Sequence, residues 1–359
     1  MKDLKVIPAV FSLLVISGCG SSFFKYEKYE IDEPVEPVIR SIPEIECVVD
    51  EMTGNEWYSE MCSQVMEFKT SCTVNSRIGD RDVYKALIQL HNDYPEVFWI
   101  GNTYYATTVT DGSKIVLGIP DWFEADDIPE MNDEFAESAD KLIKSIPEGS
   151  DYDKILYVHD YIVRNTEYDR KASDDNSTKL AGTAYGCLVE GKAVCSGYAR
   201  AFQYIMNQIG IESGICTGSN HAWNYVKLDG EYYWLDTTWD DVNENYVSHT
   251  YFLFDDDMLI RTRSFDMTQS YVPECKSDNN YFVRNGGYFT EYDKDSVISY
   301  IEDNSENEMC EIMFADFESY KSALHGLFGN SDIRSAKGMR TSEINYYHDD
   351  NMFTVRICK

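Results

Sequence analysis

One stretch of the chain carries a cysteine, a histidine and an aspartate in that order, and it constrains the fold more than any other. Cys195 precedes an apolar helical pattern, while His221 and Asp236 lie in two alternating, aromatic-rich runs. A thiol, an imidazole and a carboxylate are the nucleophile, base and orienting acid of a cysteine enzyme. If they form a site, a helix and a two-stranded hairpin must bring these three side chains together.

A helix is predicted to begin at Cys195. Apolar residues recur at helical spacing from Tyr198 to Ile209, and Gly210 stands where a left-handed cap ends a helix. The unpaired N–H groups and the dipole at a helix start favour a thiolate. Gly197, one turn in, costs about 1 kcal/mol against alanine, which indicates that something approaches the backbone beside the thiol. The alternative is that Cys195 is a small buried hydrophobe, as most free cysteines are.

A type I′ hairpin is predicted around Asp229-Gly230, because this pair separates two alternating runs. A two-residue turn here places Trp223 opposite Asp236 and His221 opposite Thr238, all four on one face. His221 and Asp236 are then a diagonal pair with Cα atoms roughly 7–8 Å apart. A four-residue loop with the same centre keeps these four side chains on one face of the hairpin, whereas a three-residue loop does not. A lone histidine and aspartate on strands are usually exposed polar residues, but a shared face beside a helix-start cysteine favours a site.

Residues 152–239 resemble the transglutaminase-like superfamily, whose core is papain-like, and within it the secreted bacterial branch. The resemblance rests on a leading helix (153–169), a nucleophile motif (184–199), a histidine motif (221–224) and an aspartate motif (235–240). It implies an α+β fold in which a helix bearing the cysteine packs on an antiparallel sheet bearing the histidine and the aspartate. Small α+β modules are expected on either side.

The triad of the superfamily falls on Cys195, His221 and Asp236. The chain departs from the branch at Ser196, where glutamate is frequent, and at Cys187, where a small residue is usual. Neither position belongs to the triad, but both can alter substrate contacts.

Three aromatic residues near the triad are candidates for supporting roles. The backbone N–H of Cys195 is expected to be one oxyanion donor, and Tyr185 is a candidate for a second. The alternative for Tyr185, a core aromatic, is about equally favoured. Trp223 and Trp239 are candidate substrate-binding residues.

The resemblance implies that Cys195 attacks an amide carbonyl as a thiolate and forms a thioester. Water as the acceptor makes the protein a peptidase or amidase, and a lysine amine makes it a crosslinking transglutaminase. The sequence leaves both open, although hydrolysis is the less demanding chemistry outside a cell. A protein or peptide substrate is expected, without a cofactor or metal.

Two other classes of function compete with an enzyme. One is a non-catalytic binding module that keeps the scaffold and docks cell-wall or host glycan or peptide, for which 27 Tyr and 6 Trp provide aromatic surface. The intact triad argues against it. The other is a solute-binding lipoprotein, but no repeated pair of α/β lobes is evident in the sequence.

The net charge of −32 indicates that the protein does not bind nucleic acid, because phosphates would be repelled. The acidic run Asp255–Asp257 lacks the alternating spacing of a calcium loop and is expected to be a solvated loop. His159, on the leading helix, is expected to be a packed or surface histidine and not a ligand.

Residues 1–18 predict an export signal, with Lys2 and Lys5 before an apolar run that is too short to span a bilayer. The run ends in Ile16-Ser-Gly-Cys19, which resembles a bacterial lipobox and implies cleavage before Cys19 and lipid attachment there. The alternative is an ordinary secretory signal. We therefore expect an exported protein, anchored by lipid to the bacterial cell membrane and facing the cell surface or periplasm.

After the signal, the sequence predicts an acidic, proline-containing tether and cysteine segment (19–75), an N-terminal α+β region (76–150), the catalytic domain (151–275) and a C-terminal α+β module (280–359). Cys47, Cys62 and Cys72 lie close enough in sequence to hold one disulfide. The predicted flanking elements are helices over 83–91, 135–146 and 318–328, strands over 97–109, 114–118, 246–254 and 308–315, and a hairpin over 345–357.

Overall fold

The computed structural model describes residues 33–174, 179–242, 246–339 and 344–358. The predicted signal segment 1–18 and Cys19 lie outside these ranges. Within them, no helix combines the length and the apolar character needed to cross a membrane. The cysteines of the described ranges, among them Cys47, Cys62 and Cys72, are free thiols. The disulfide considered for these three is therefore not formed.

The N-terminal region packs helices against a three-stranded antiparallel sheet. Its elements are β1 (Glu46–Cys47), α1 (Val49–Met52), α2 (Glu56–Val65), β2 (Ser71–Val74), α3 (Asp80–Asp93), β3 (Tyr104–Val109), β4 (Gly112–Leu117) and α4 (Ile128–Ser145). The two predicted helices are present and are longer than predicted. The strand predicted over 97–109 begins only at Tyr104, because residues 97–100 bury their side chains without pairing as a strand.

The end of the predicted tether lies against the rest of the protein. From residue 33 the chain is extended, but the backbone N–H of Val35 donates to the Asp350 carboxylate at 2.9 Å. The backbone N–H of Arg40 donates to the Ile260 carbonyl, also at 2.9 Å. From residue 33 on, the segment predicted as a tether is therefore extended and also hydrogen-bonded to the rest of the protein.

The central region packs helix α8 against the antiparallel sheet β10-β9-β8-β7. Its elements are α5 (Asp151–Asn165), β5 (Glu167–Tyr168), α6 (Arg170–Asp174), α7 (Ala184–Leu188), β6 (Lys192–Ala193), α8 (Cys195–Gln208), β7 (Ser213–Gly218), β8 (His221–Leu228), β9 (Glu231–Leu235), α9 (Thr237–Asp240), β10 (Phe252–Phe254), α10 (Asp256–Thr262), β11 (Thr268–Gln269) and α11 (Tyr281–Asn285). Asn224 on β8 donates to the Ala199 carbonyl on α8 at 2.9 Å, which fixes helix and sheet together.

The hairpin between β8 and β9 has the predicted register up to Leu235, which pairs with Asn224. Asp229 and Gly230 both have positive φ, 56° and 89°, as a type I′ turn requires. The strand then ends, and Asp236 caps helix α9. The predicted cross-strand pair of His221 with Thr238 is therefore wrong.

The C-terminal region builds its own apolar core around a mixed sheet of order β12-β13-β15-β14. The predicted hairpin is confirmed, and the strand predicted over 246–254 is reduced to β10. The predicted helix over 318–328 ends at Leu324 and continues as a π-helical turn. The elements are β12 (Tyr288–Phe289), α12 (Lys294–Asp303), β13 (Met309–Phe314), α13 (Phe317–Leu324), β14 (Asn345–Asp349) and β15 (Thr354–Cys358).

Candidate active site

Cys195 is the first residue of helix α8 and is partly exposed. The backbone N–H groups in the first turn of a helix have no partner within it, and the N–H of Cys195 is one of them. A Cβ on Gly197 would lie only 2.4 Å from the Ala181 carbonyl oxygen, so the segment before the helix packs directly against its first turn. The close approach predicted from this glycine is therefore present, and it holds the backbone on both sides of the thiol.

His221, the first residue of β8, connects the thiol with Asp236. Its Nε2 lies 2.7 Å from Oδ2 of Asp236, so Nδ1 is the ring nitrogen left to act on the Cys195 thiol, whose pKa the imidazole lowers. His221 thus interacts electrostatically with both the thiol and the carboxylate.

The surroundings favour the charged forms of Cys195 and His221. Burial raises the pKa of the Cys195 thiol, but the hydrogen bond and charge of His221, together with the Ala222 N–H, lower it below the usual thiol value. Burial lowers the pKa of His221, but the Asp236 carboxylate raises it to about 9. Both shifts favour the thiolate–imidazolium form of the pair over the neutral form.

Asp236 is 1% exposed, so it contacts His221 from within the core. Its Oδ1 accepts the backbone N–H groups of Thr238 and Trp239, each at 3.1 Å, and so caps α9. Its Oδ2 contacts both His221 and Nη1 of Arg263. Burial raises the pKa of Asp236, but the charges of His221 and Arg263 lower it to about 2. The residue has a structural role as well as the predicted one.

Arg263 was not identified from the sequence. It follows α10, is as buried as Asp236, and places its guanidinium carbon 3.9 Å from the ring centroid of Trp239 and 5.0 Å from that of Trp223. Its sequence neighbourhood gives no signal, since Arg261 lies two residues away and instead covers the ring of Phe353. Only the packing of distant segments shows which arginine faces the site.

The two tryptophans proposed as substrate-binding residues enclose the imidazole. Trp223 is fully buried, with its ring 6.2 Å from that of His221 at an interplanar angle of 16°. Substrate cannot reach it, so that prediction is wrong. Trp239 is half-buried, and its ring lies 5.1 Å from that of His221 at 29°. Both rings fix the plane of the imidazole and shield its bond to Asp236 from water.

Tyr185 has the environment of a core aromatic, the alternative considered for it. Its hydroxyl donates to Glu134 at 2.5 Å, and its ring lies 5.0 Å from that of Phe98. The structure thus gives no support for a second oxyanion donor at this position. Tyr168 on β5 is within electrostatic range of the thiol, and burial together with the charge of Cys195 raises the pKa of its phenol.

The departures from the family pattern occupy structural positions. Ser196 donates to the Gly182 carbonyl at 3.0 Å, and buried Cys187 lies 3.3 Å from the Thr166 hydroxyl. The acidic run is structural as well, contrary to the expected solvated loop. Asp255 caps α10, and Asp256 accepts the indole N–H of a buried tryptophan.

Comparison with known proteins finds a family model that matches the segment containing the three residues. Residues 140–238 match the sequence model of the transglutaminase-like superfamily, which confirms the predicted resemblance and its α+β fold. No curated protein matches the chain.

Two solved structures are similar to parts of the chain. One is a TGase, with 14% identity, a TM-score of 0.30, and coverage of 50% of this chain and 52% of that one. The other, from Cytophaga hutchinsonii, is provisionally described as a cysteine protease, with 18% identity, a TM-score of 0.24, and coverage of 38% and 61%. The chain therefore spans only about half to three fifths of these two proteins.

Proposed function

We propose that this protein, whose residues 140–238 form a transglutaminase-like domain, is a cysteine enzyme that acts on amide or peptide bonds of proteins through a thioester. The observation that carries the proposal is the chain of contacts at the start of α8. There His221 lowers the pKa of the Cys195 thiol, and Nε2 of His221 lies 2.7 Å from the Asp236 carboxylate. This is the arrangement that activates a nucleophile.

In the first half-reaction, the Cys195 thiolate attacks the amide carbonyl carbon and forms a tetrahedral intermediate. The oxyanion accepts a hydrogen bond from the Cys195 backbone N–H. The His221 imidazolium donates its proton to the amine, which leaves as the thioester forms. Asp236 keeps the imidazole in the tautomer and orientation that this transfer needs.

In the second half-reaction, neutral His221 takes a proton from the acceptor as the acceptor attacks the thioester carbonyl. Water as acceptor releases a carboxylic acid, and a lysine amine forms a new amide. In both cases the Cys195 thiolate leaves and the imidazolium is restored. The same residues therefore support a peptidase, an amidase or a transglutaminase-type acyltransferase.

The site of action that we propose is the outer face of a bacterial cell membrane, either the cell surface or the periplasm. The support is the segment Ile16-Ser-Gly-Cys19, whose cysteine would carry the lipid. The net charge of −32 suits an exposed soluble body and disfavours nucleic acid as a partner. A protein or peptide in the same compartment would be the substrate.

A non-catalytic binding module is the competing function. At the triad it would need aromatic side chains presented to solvent, but there Trp223 and Trp239 pack around His221 and Arg263. An idle site would also have no need of a polarised thiol. These observations favour the enzyme.

The experiment compares the wild type with Cys195→Ala on a mixture of extracellular proteins, with and without a labelled primary amine. New peptide termini made only by the wild type would identify a peptidase. Amine incorporated at glutamine, or glutamine converted to glutamate, would identify transglutaminase-type chemistry. If the two proteins give the same products, the proposed enzyme function is wrong.

A further inference from the structure

A second cluster of ionisable side chains lies where the transglutaminase-like domain meets the C-terminal sheet. His159 and Asp160 come from helix α5, and His249 comes from the segment before β10. One ligand atom from each of the three residues lies within 4.8 Å of the other two. Oδ1 of Asp160 is 3.0 Å from Nδ1 of His159 and 3.1 Å from Nε2 of His249. None of these side chains takes part in the chemistry proposed for Cys195.

Each of the two imidazoles has a further carboxylate on its other ring nitrogen. Nε2 of His159 lies 3.2 Å from Oδ2 of Asp240, and Nδ1 of His249 lies 2.7 Å from Oε2 of Glu311. Histidines that bind metal almost always donate their other N–H to a carboxylate or carbonyl, which fixes the ring and makes the ligand more basic. Both histidines therefore already have the outer partners that metal ligands use.

Packing holds these rings in place and leaves one side open. Tyr281 stacks on His249, with ring centroids 4.1 Å apart and an interplanar angle of 8°, and Phe252 meets both imidazoles edge-on. The side chain of His159 is fully buried, whereas that of Asp160 is 29% exposed. An ion can therefore reach the cluster from the side of Asp160, and a water can complete its coordination there.

We infer that His159, Asp160 and His249 bind a divalent transition-metal ion, and that Zn²⁺ is the ion they fit best. Two imidazole nitrogens and one carboxylate oxygen with an open position form a ligand set that Zn²⁺ uses. Imidazole suits transition metals, whereas calcium and magnesium prefer oxygen ligands. The ion supplies positive charge facing three carboxylates, those of Asp160, Asp240 and Glu311.

Such an ion would hold together segments that are far apart in sequence. Its ligands come from α5 and from the segment before β10, while Glu311 lies on β13 of the C-terminal sheet. Asp240 ends α9, and its backbone N–H donates to the carbonyl of Asp236. The ion would therefore stabilise the junction of the two regions and the short helix that Asp236 caps.

Zinc binding is tested in the full chain carrying Cys195→Ala, so that the catalytic thiol cannot bind the ion. After removal of metal with a chelator, equilibrium dialysis against Zn²⁺ should give one ion per chain, and the ion should raise the melting temperature. His249→Asn removes a ligand, and Asp160→Asn weakens one at a partly exposed position. Each variant should reduce the affinity for Zn²⁺ by at least about 10-fold, because changing even a group that only hydrogen-bonds to a metal ligand costs about 10–100-fold.

Three further arms separate the outcomes. Glu311→Gln should weaken Zn²⁺ about 10–100-fold through His249, whereas His325→Asn, at an exposed histidine outside the cluster, should leave affinity unchanged. Circular dichroism of each metal-free variant checks that it is folded. The inference is overturned if the Cys195→Ala protein binds no Zn²⁺, if Asp160→Asn and His249→Asn bind as well as their parent, or if Ca²⁺ binds in preference to Zn²⁺.

Discussion

Arg263 donates to the same carboxylate oxygen of Asp236 that contacts His221. Both side chains are 1% exposed, and the guanidinium carbon lies over the ring of Trp239, 3.9 Å from its centroid. A buried carboxylate needs such a partner, because an unpaired charge in the interior is costly. The cation keeps Asp236 ionised, and the ionised carboxylate in turn keeps His221 protonated. Arg263 is therefore a positioning residue for the triad, although it does not reach the thiol.

The first prediction concerns that pair. Arg263→Met should lower the free energy of unfolding by about 3–5 kcal/mol, because it removes one of the two cationic partners of a buried carboxylate. Arg261→Met is the matched control; it loses a contact with Phe353 and should cost no more than about 1 kcal/mol. Denaturant unfolding of the two variants measures the difference. Equal losses would mean that the buried pair contributes no more than the half-exposed contact.

The second prediction concerns Asp236→Asn. Asparagine can still cap α9, but it cannot hold the imidazole in the required tautomer or stabilise its charge. Turnover should therefore fall by about four orders of magnitude while the protein stays folded, with reduced stability from the loss of the Arg263 pair. Kinetics and circular dichroism are measured together, with exposed Asp229→Asn as the control. An unfolded variant would make the buried pair with Arg263, not the triad, the main role of Asp236.

The third prediction concerns the reactivity of the thiols. At mildly acidic pH, iodoacetamide should label Cys195 before any other cysteine, and His221→Ala should remove that preference. Burial raises the pKa of Cys187 to about 12 and that of Cys216 well above the usual value, so these are the internal controls. Peptide mass spectrometry gives the order of labelling. Equal rates for the three thiols, or unchanged labelling in the histidine variant, would rule out the ion pair.

The fourth prediction concerns pH. Activity should rise with pH as Cys195 loses its proton. Because the pKa of Cys195 is lowered, this rise should occur at lower pH than the titration of an ordinary thiol. It should fall as pH passes about 9, where His221 loses the proton that the leaving amine requires. Asp236→Asn should move this alkaline limb to lower pH, since the carboxylate raises the pKa of His221. Profiles of kcat/KM for both proteins test this, and an unmoved limb contradicts it.

The fifth prediction concerns the anchor. Cys19→Ala should move the protein from the membrane fraction to the medium or periplasm, because the apolar run over 6–16 is too short to anchor it alone. Fractionation followed by a salt wash measures the change, with Cys47→Ala as a control that keeps the lipidation site. A Cys19→Ala protein that stays with the washed membranes would disprove lipid attachment at this residue.

Local patterns were enough to predict the elements that carry the triad. Helical spacing marked the start of α8 at Cys195, and the Asp229-Gly230 turn set the register of β8 with β9. Both predictions depend on short stretches of chain, since a helix repeats every 3.6 residues and a type I′ turn needs two positive φ angles. The triad residues themselves followed from the family resemblance.

The sequence alone determined that a thiol would begin one helix and that an imidazole and a carboxylate would follow on, or directly after, one hairpin. Only the tertiary structure decided that β9 would end before Asp236, that Arg263 would pair with it, and that Trp223 would be buried. It also decided that His159 and His249 would meet. These outcomes depend on side chains from distant segments competing for the same buried space, and the local periodicity of a sequence carries no information about which of them will pack together.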